Sequence, residues 1–229
     1  MDMQRIGVVG AGTMGSGIAE VAAVAGFAVR LCDSAAEQID KSRQVIRSSL
    51  EKTARRGKLS QSDVDPILGR IVFGSNITAL ADCDFVVEAI VENADAKFQL
   101  LAELSRITRP EIVLASNTSS ISITKLGDAS GRPDRFIGMH FFNPVPIMPL
   151  VEVVRGRATG EATVVATEEL ARRMGKTPVR ANDAPGFVAN RVLMPMINEA
   201  IYALADGVAD AGSIDQIMVL GCNHPMGPL

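Results

Sequence analysis

Residues 5–33, RIGVVGAGTMGSGIAEVAAVAGFAVRLCD, contain the pattern that decides the fold. Gly10, Gly12 and Gly15 form a GxGxxG motif that follows a short apolar run and opens a stretch with helical periodicity. A second apolar run then leads to Asp33, 21 residues after Gly12. A strand, a glycine turn, a helix and a second strand ending in an acid together form the dinucleotide-binding fingerprint. The stretch therefore predicts a Rossmann-like unit.

Each glycine has a separate predicted role. Gly10 would permit the tight turn, Gly12 the close approach of a pyrophosphate, and Gly15 the packing of the helix on the strand. Thr13 and Met14 belong to the same predicted site, because the N–H groups that open a helix favour phosphates.

Asp33 is predicted to select the cofactor. An acid at this position accepts the ribose hydroxyls of NAD and repels the extra phosphate of NADP. Two alternatives stay open: FAD shares the fingerprint, and a glycine turn of this kind can be purely structural.

Further apolar runs continue the pattern along the chain and alternate with longer helical stretches. Several runs are continuous, as expected of strands buried on both faces. The alternation predicts an α/β domain with a mainly parallel sheet. The expected strands are Ile6–Val9, Ala28–Cys32, Ile71–Phe73, Phe85–Glu88, Ile112–Ala115, Phe136–Met139 and Leu150–Val154, and the expected helices between them are Met14–Ala25, Glu37–Arg56, Ala96–Ile107 and Ala162–Met174.

A domain boundary is predicted at the turn-rich stretch NDAPGF, residues 182–187. Pro185 suits the first turn of a helix, and no strand is expected after about Val179. We therefore expect a nucleotide-binding domain over residues 1–183 and a smaller helical domain over residues 184–229, with helices over Gly186–Leu204 and Ser213–Leu220.

The composition excludes several classes of protein. With 47% hydrophobic residues and a net charge of −3, the chain is globular and has no overall basic field for nucleic acid. The three cysteines form no metal-binding spacing and no disulfide framework, which indicates a reducing, cytoplasmic setting. No signal peptide precedes the first strand, and no apolar run is long enough to span a membrane.

Residues 138–153, GMHFFNPVPIMPLVEV, suggest chemistry. His140, one of two histidines in the chain, ends one apolar run, and Glu152 lies inside the next. The plain interpretations are a core histidine and a solvent-facing acid. The functional interpretation is a pair in which the imidazole moves a proton and the carboxylate orients the ring.

The chain contains, in this order, the five motifs GAGTMGSGIA, DFVVEAIVEN, ASNTSSISIT, HFFNPVP and HPMGPL. Together they closely resemble the 3-hydroxyacyl-CoA dehydrogenase family, most of all its short bacterial 3-hydroxybutyryl-CoA type. The resemblance implies NAD-dependent oxidation of (S)-3-hydroxyacyl-CoA, a Rossmann-like domain, and a helical domain that commonly forms a homodimer. Family members usually continue past PMGP, so the helical domain is expected to be incomplete here.

The resemblance places the catalytic roles on Ser119, His140, Glu152 and Asn190. His140 would be the general base, Glu152 would orient it, and the two neutral donors would hold the substrate oxygen. The bland alternatives are a helix cap for Ser119 and a surface position for Asn190. Additional cofactor contacts implied by the resemblance are Glu92, Lys97, Asn117 and Asn143.

The segment from Lys41 to Lys58 carries seven Lys or Arg residues and one acid, Glu51. It is either a solvated helix face or a clamp for the phosphates of coenzyme A. The resemblance favours contacts to the acyl-CoA substrate at Ser49, Lys52 and Arg56. A non-catalytic NAD-binding protein on the same fold stays an alternative, because a fold alone does not establish activity.

Overall fold

We describe the protein from a computed structural model, which covers residues 3–229. The contacts within the chain define two compact units, Met1–Asp183 and Ala184–Leu229.

The first unit is built on one sheet of eight strands in the order β3-β2-β1-β4-β5-β6-β7-β8. All neighbouring strands are parallel except β6 and β7, which are antiparallel. The predicted mainly parallel α/β fold is therefore confirmed. The strands are β1 (Arg5–Val9), β2 (Ala28–Cys32), β3 (Ile71–Gly74), β4 (Phe85–Glu88), β5 (Val113–Ser116), β6 (Phe136–Phe141), β7 (Leu150–Arg155) and β8 (Thr177–Asn182).

Helices connect these strands, because parallel neighbours require a crossover connection. They are α1 (Thr13–Val24), α2 (Ala36–Arg55), α3 (Val64–Gly69), α4 (Ala94–Ile107), α5 (Ile123–Ala129) and α6 (Glu161–Arg173), with short 3₁₀ turns at Gln61–Asp63, Ile77–Leu80 and Pro133–Arg135. Polar caps fix some of the starts: the side chain of Asn93 accepts the N–H of Ala96 at 3.0 Å and so begins α4.

The core explains why the central strands read as continuous apolar runs. Every residue of β4, β5 and β6 is buried, as expected for a sheet covered on both faces. Ile18, Ala19 and Ala22 of α1 are fully buried, and this packing fixes the helix that follows the glycine loop.

Three features differ from the sequence-based expectation. Strand β8 (Thr177–Asn182) was not among the expected strands; four of its six residues are exposed, so it lacks an apolar signature. The short helices α3 and α5 were not predicted, because six or seven residues carry little periodicity. Pro185 does not open a helix: the next helix begins at Ala189, and Phe187 just before it has a φ of 47°.

The second unit contains two helices, α7 (Ala189–Ala205) and α8 (Ala211–Cys222). The side chain of Asp210 caps α8 by accepting the N–H of Ser213 at 2.8 Å. Within residues 3–229, no helix combines the length and apolar character needed to cross a lipid bilayer.

Candidate active site

The glycine loop between β1 and α1 has the backbone that its motif requires. Gly10 has a φ of +102°, and a side chain there would collide with the carbonyl oxygen of Ala89. A side chain on Gly15 would collide with the carbonyl of Gly10, so the helix lies against the loop. At Gly12 nothing lies within 4 Å of the position of a Cβ atom. The loop therefore leaves open space at Gly12, beside the N-terminus of α1, where a pyrophosphate fits.

Asp33 follows β2 and faces this loop. Its Oδ2 accepts the N–H of Ala11 at 2.7 Å, and its Oδ1 accepts the N–H of Ala35 at 2.9 Å. It also lines a cavity of about 300 Å³, together with Gly10 and Cys32. Thr13 and Met14 form the first turn of α1. The carboxylate thus holds the glycine loop and borders the space beside it.

His140 and Glu152 form a buried pair across the antiparallel strands β6 and β7. The two residues are register partners, and Nδ1 of His140 lies 2.7 Å from Oε2 of Glu152. The side chains are 9% and 4% exposed. The ring of Phe142 lies 4.7 Å from the imidazole, centroid to centroid. A proton on Nδ1 shared with the carboxylate leaves the basic lone pair of a neutral ring on Nε2.

Ser119 lies in a turn that is organised by Glu92. Oε1 of Glu92 accepts the N–H groups of Ser119 and Ser120 at 3.0 and 3.2 Å and the hydroxyl of Thr118 at 2.5 Å. Burial by itself would raise the pKa of Glu92, but these bonds and the nearby Lys97 together lower it. The carboxylate therefore stays ionised and anchors the turn.

Lys97 connects Glu92 to a second carboxylate deeper in the sheet. The amine of Lys97, which is 1% exposed, donates to Glu88 at 2.5 Å and lies 3.3 Å from Glu92. The hydroxyl of Ser116 also donates to Glu88 at 2.5 Å. Buried charges need such partners, so this network ties the end of β4, the start of α4 and the end of β5 together.

Asn117 and Asn143 follow strand ends, as the sequence predicted. Asn117 accepts the N–H of Phe141 through its side-chain oxygen at 2.9 Å, which joins the ends of β5 and β6. Asn143 precedes Pro144 in a cis peptide at the start of the connection to β7.

A cavity of about 530 Å³ lies between α1, α2 and residues 143–147. Ser49, Lys52 and Arg56 all line it, and Lys58 adds a third cation. The rest of the basic segment divides: Arg47 forms an ion pair with Asp65 at 2.9 Å, and Arg43 lies 4.4 Å over the ring of Phe73. The basic segment thus combines a cavity-lining part with residues that have structural partners.

The dinucleotide loop, the buried histidine–carboxylate pair and the basic cavity can be compared with known proteins. Residues 5–184 match the model of the 3-hydroxyacyl-CoA dehydrogenase NAD-binding domain, and residues 186–229 match the model of the C-terminal domain of that enzyme. The chain belongs to the 3-hydroxyacyl-CoA dehydrogenase family.

Individual members of the family cover nearly the whole chain. A "probable 3-hydroxybutyryl-CoA dehydrogenase" of Deinococcus radiodurans is 55% identical over 225 residues, which are 98% of this chain and 81% of that protein. The 3-hydroxybutyryl-CoA dehydrogenase of Bradyrhizobium diazoefficiens is 46% identical over 227 residues, 99% of this chain and 78% of that protein. The crystal structure of (S)-3-hydroxybutyryl-CoA dehydrogenase from Ralstonia eutropha matches with a TM-score of 0.97 and 46% identity, covering 100% of this chain and 81% of that one.

In this member of the family, the first unit brings most of the predicted site residues to the carboxyl ends of the parallel strands. Asn190 lies in the first turn of α7, in the second unit. Two buried acids at or near these sites, Glu88 and Glu20, were not predicted. The signal available for Glu88 was an acid at the end of a continuous apolar run, and for Glu20 an acid inside the apolar helix after the glycine loop.

Proposed function

We propose that the chain oxidises (S)-3-hydroxyacyl-CoA to 3-oxoacyl-CoA with NAD, and catalyses the reverse reduction of acetoacetyl-CoA. The observation that carries this proposal is the buried His140–Glu152 pair at the edge of the sheet where open α/β folds bind their ligands. Membership of the family and the names of the similar enzymes support the same substrate class.

In the proposed chemistry, the proton and the hydride leave the substrate for two different acceptors. A bound NAD would supply the acceptor for the hydride that leaves the carbon bearing the hydroxyl group. His140 takes the hydroxyl proton on Nε2, and Glu152 stabilises the positive charge that then develops on the ring. Ser119 would donate a hydrogen bond to the substrate oxygen as it becomes a carbonyl, and the resemblance to the family implies a role of the same kind for Asn190. In the reverse direction the protonated His140 returns the proton.

The cofactor contacts are proposals of the same kind. Asp33 favours NAD over NADP, because a carboxylate repels the added phosphate. We propose that the cofactor is also contacted by Glu92, which lies between β4 and α4, by Asn117 after β5, and by Asn143 after β6. We assign Lys97 the supporting role of holding Glu92, because its amine is buried against Glu88.

We also propose that the 530 Å³ cavity receives the coenzyme A portion of the substrate. Ser49, whose hydroxyl hydrogen is donated to Glu20, would accept a hydrogen bond from coenzyme A there, and Lys52 and Arg56 would bind phosphate oxygens. The double variant Lys52→Ala/Arg56→Ala should raise the KM for acetoacetyl-CoA, more at low salt than at high salt. An acetoacetyl-pantetheine thioester, which lacks the nucleotide, provides the control, and equal losses with both substrates would contradict this placement.

For the two units we propose an NAD-binding role for the first and a dimer contact through the second. Exposed apolar side chains on α7 and α8, including Val192, Ile217 and Leu220, support a homodimer, and sedimentation equilibrium would test it. Three free cysteines support a reducing, cytoplasmic setting.

The activity itself is tested by following NADH absorbance with acetoacetyl-CoA. The protein should oxidise NADH, and His140→Ala should lower turnover at least about 100-fold, as expected for the loss of a general base. NADH binding, measured by fluorescence, should change little. A protein that binds NADH but turns over no acyl-CoA substrate would be a non-catalytic relative instead.

A further inference from the structure

Glu20 is a buried carboxylate that the dinucleotide fingerprint does not explain. It lies on α1, is 4% exposed, and contributes to the wall of the 530 Å³ cavity. Its Oε1 accepts the hydroxyl hydrogen of Ser49 on α2 at 2.7 Å. This bond joins the two helices that form one side of the cavity, which are also joined by the hydroxyl groups of Ser16 and Ser42 at 2.7 Å.

The charged groups around Glu20 come from three other parts of the first unit. α2 and the residues after it bring Lys52, Arg56 and Lys58 to the same cavity. The turn between α6 and β8 brings Lys176, whose amine donates to the carbonyls of Val145 and Met148 at 2.5 and 2.9 Å.

Residues 143–147, which form the opposite wall, carry no charge. Gly17, one turn before Glu20, packs tightly against this wall: a Cβ atom there would lie 2.7 Å from Cβ of Val145. The cavity thus has two closely packed walls, one buried acid and several cations.

Burial raises the pKa of Glu20 to about 7, although the bond from Ser49 and the nearby Lys176 oppose this rise. Burial lowers the pKa of Lys176, and Glu20 opposes that change. The carboxyl group of Glu20 therefore changes its charge within the physiological pH range.

We propose that Glu20 is a positioning and specificity residue of the acyl-CoA cavity, which orients the hydroxyl of Ser49 and adjusts, through its own protonation, the charge offered to the phosphates of coenzyme A. This proposal rests on the function proposed above. When Glu20 is neutral, the positive charge of the cavity cations is not reduced. When Glu20 is ionised, its negative charge offsets one of the positive charges. A polyanionic ligand then binds more tightly at lower pH.

The test compares Glu20→Gln with the parent protein between pH 6 and pH 8.5. Glutamine keeps an acceptor for Ser49 but carries no charge at any pH. For the parent, the KM for acetoacetyl-CoA should rise about threefold with pH relative to the variant, the effect of one partly screened charge. The ratio of the two kcat values should stay constant. Glu168→Gln, a change at a buried glutamate of α6 outside the cavity, should follow the parent.

The positioning role is tested by Glu20→Ala, which leaves the Ser49 hydroxyl without this acceptor. It should raise KM more than Glu20→Gln does, and the further change Ser49→Ala should then add little, because both act through one hydrogen bond. Circular dichroism and NADH binding report whether each variant is folded.

Identical pH profiles for the parent and Glu20→Gln would overturn the proposal. If the parent turned over no acetoacetyl-CoA, the proposed function would fail, and calorimetric binding of coenzyme A at pH 6 and pH 8 would decide the role of Glu20 separately. Equal affinities at the two pH values, after comparison with Glu20→Gln, would then reject it.

Discussion

Replacing Glu152 by glutamine isolates the charge of the buried pair from its shape. The amide has nearly the same size and can still bond to Nδ1 of His140, which lies 2.7 Å from the carboxylate in the parent. What is lost is the attraction between the carboxylate and the positive charge that the ring gains during turnover. For charge centres about 4 Å apart at an effective dielectric constant of about 20, this attraction is about 4 kcal/mol.

Part of that attraction survives, because the amide dipole replaces some of it. We therefore expect a loss of about 3 kcal/mol of transition-state stabilisation, which corresponds to a roughly 100-fold lower kcat. The unfolding midpoint should move little, because the hydrogen bond and the packing of β6 on β7 are kept. The assay is steady-state NADH oxidation with acetoacetyl-CoA, together with NADH binding and urea unfolding.

Glu168→Gln is the matched control. Glu168 is also a mostly buried glutamate with a cationic partner, Arg180 at 2.5 Å, but it lies on α6. Removing the charge of Glu168 should leave kcat within about twofold of the parent value, as expected for a charge away from the reacting groups. A kcat for Glu152→Gln within threefold of the parent would refute the assigned role. A loss that accompanied unfolding would instead assign Glu152 to stability.

Three other predictions concern the cofactor loop and the buried acid of the cavity. Gly12→Ala should leave urea unfolding unchanged, because nothing lies within 4 Å of the new Cβ atom, but should weaken NADH binding at least about tenfold, since the methyl group fills the pyrophosphate space. The parent should use NADH in preference to NADPH, and Asp33→Ala should narrow that preference in kcat/KM; equal efficiencies in the parent would contradict the role of Asp33. The pKa of Glu20 rises from 4.5 to about 7 on folding. Between these two pH values the carboxyl group of Glu20 is therefore protonated in the native state and ionised in the unfolded chain. The parent should therefore lose about 3 kcal/mol of unfolding free energy relative to Glu20→Gln as the pH rises from about 4.5 to 7, and parallel urea stability curves would contradict this.

The parts of the fold that the sequence predicted well depend on local patterns. The glycine loop is one example, because the positive φ of Gly10 and the open space around the Cβ position of Gly12 depend on a few neighbouring residues. Strand β8 shows the opposite case. Most of its residues are exposed, including Pro178 and Arg180. They form a strand because β7 provides hydrogen-bonding partners, which the local sequence pattern does not predict.

The same distinction between local patterns and contacts that form only on folding applies to the site residues. His140 and Glu152 were expected together because they end and occupy neighbouring apolar runs, but their antiparallel register is visible only in the sheet. The network of Glu88, Lys97 and Glu92 joins segments that meet only after the sheet has formed. Glu88 was therefore missed, and Glu92 and Lys97 were predicted as cofactor contacts without the ion pairs that join them.

The connection between β6 and β7 has a consequence for how such an enzyme diversifies. Its two ends are held by the pairing of Phe141 with Val151, and its middle forms a wall of the basic cavity. The proposed proton-transfer residues therefore lie on strands, while the wall beside them is the short segment of residues 144–149, which follows the proposed cofactor contact Asn143. Replacing that segment should change which molecules bind in the cavity. The histidine and its carboxylate should stay in register, because they lie on the strands. A library of variants confined to these six positions can thus be searched for new substrates while His140, Glu152 and Asn143 are all kept.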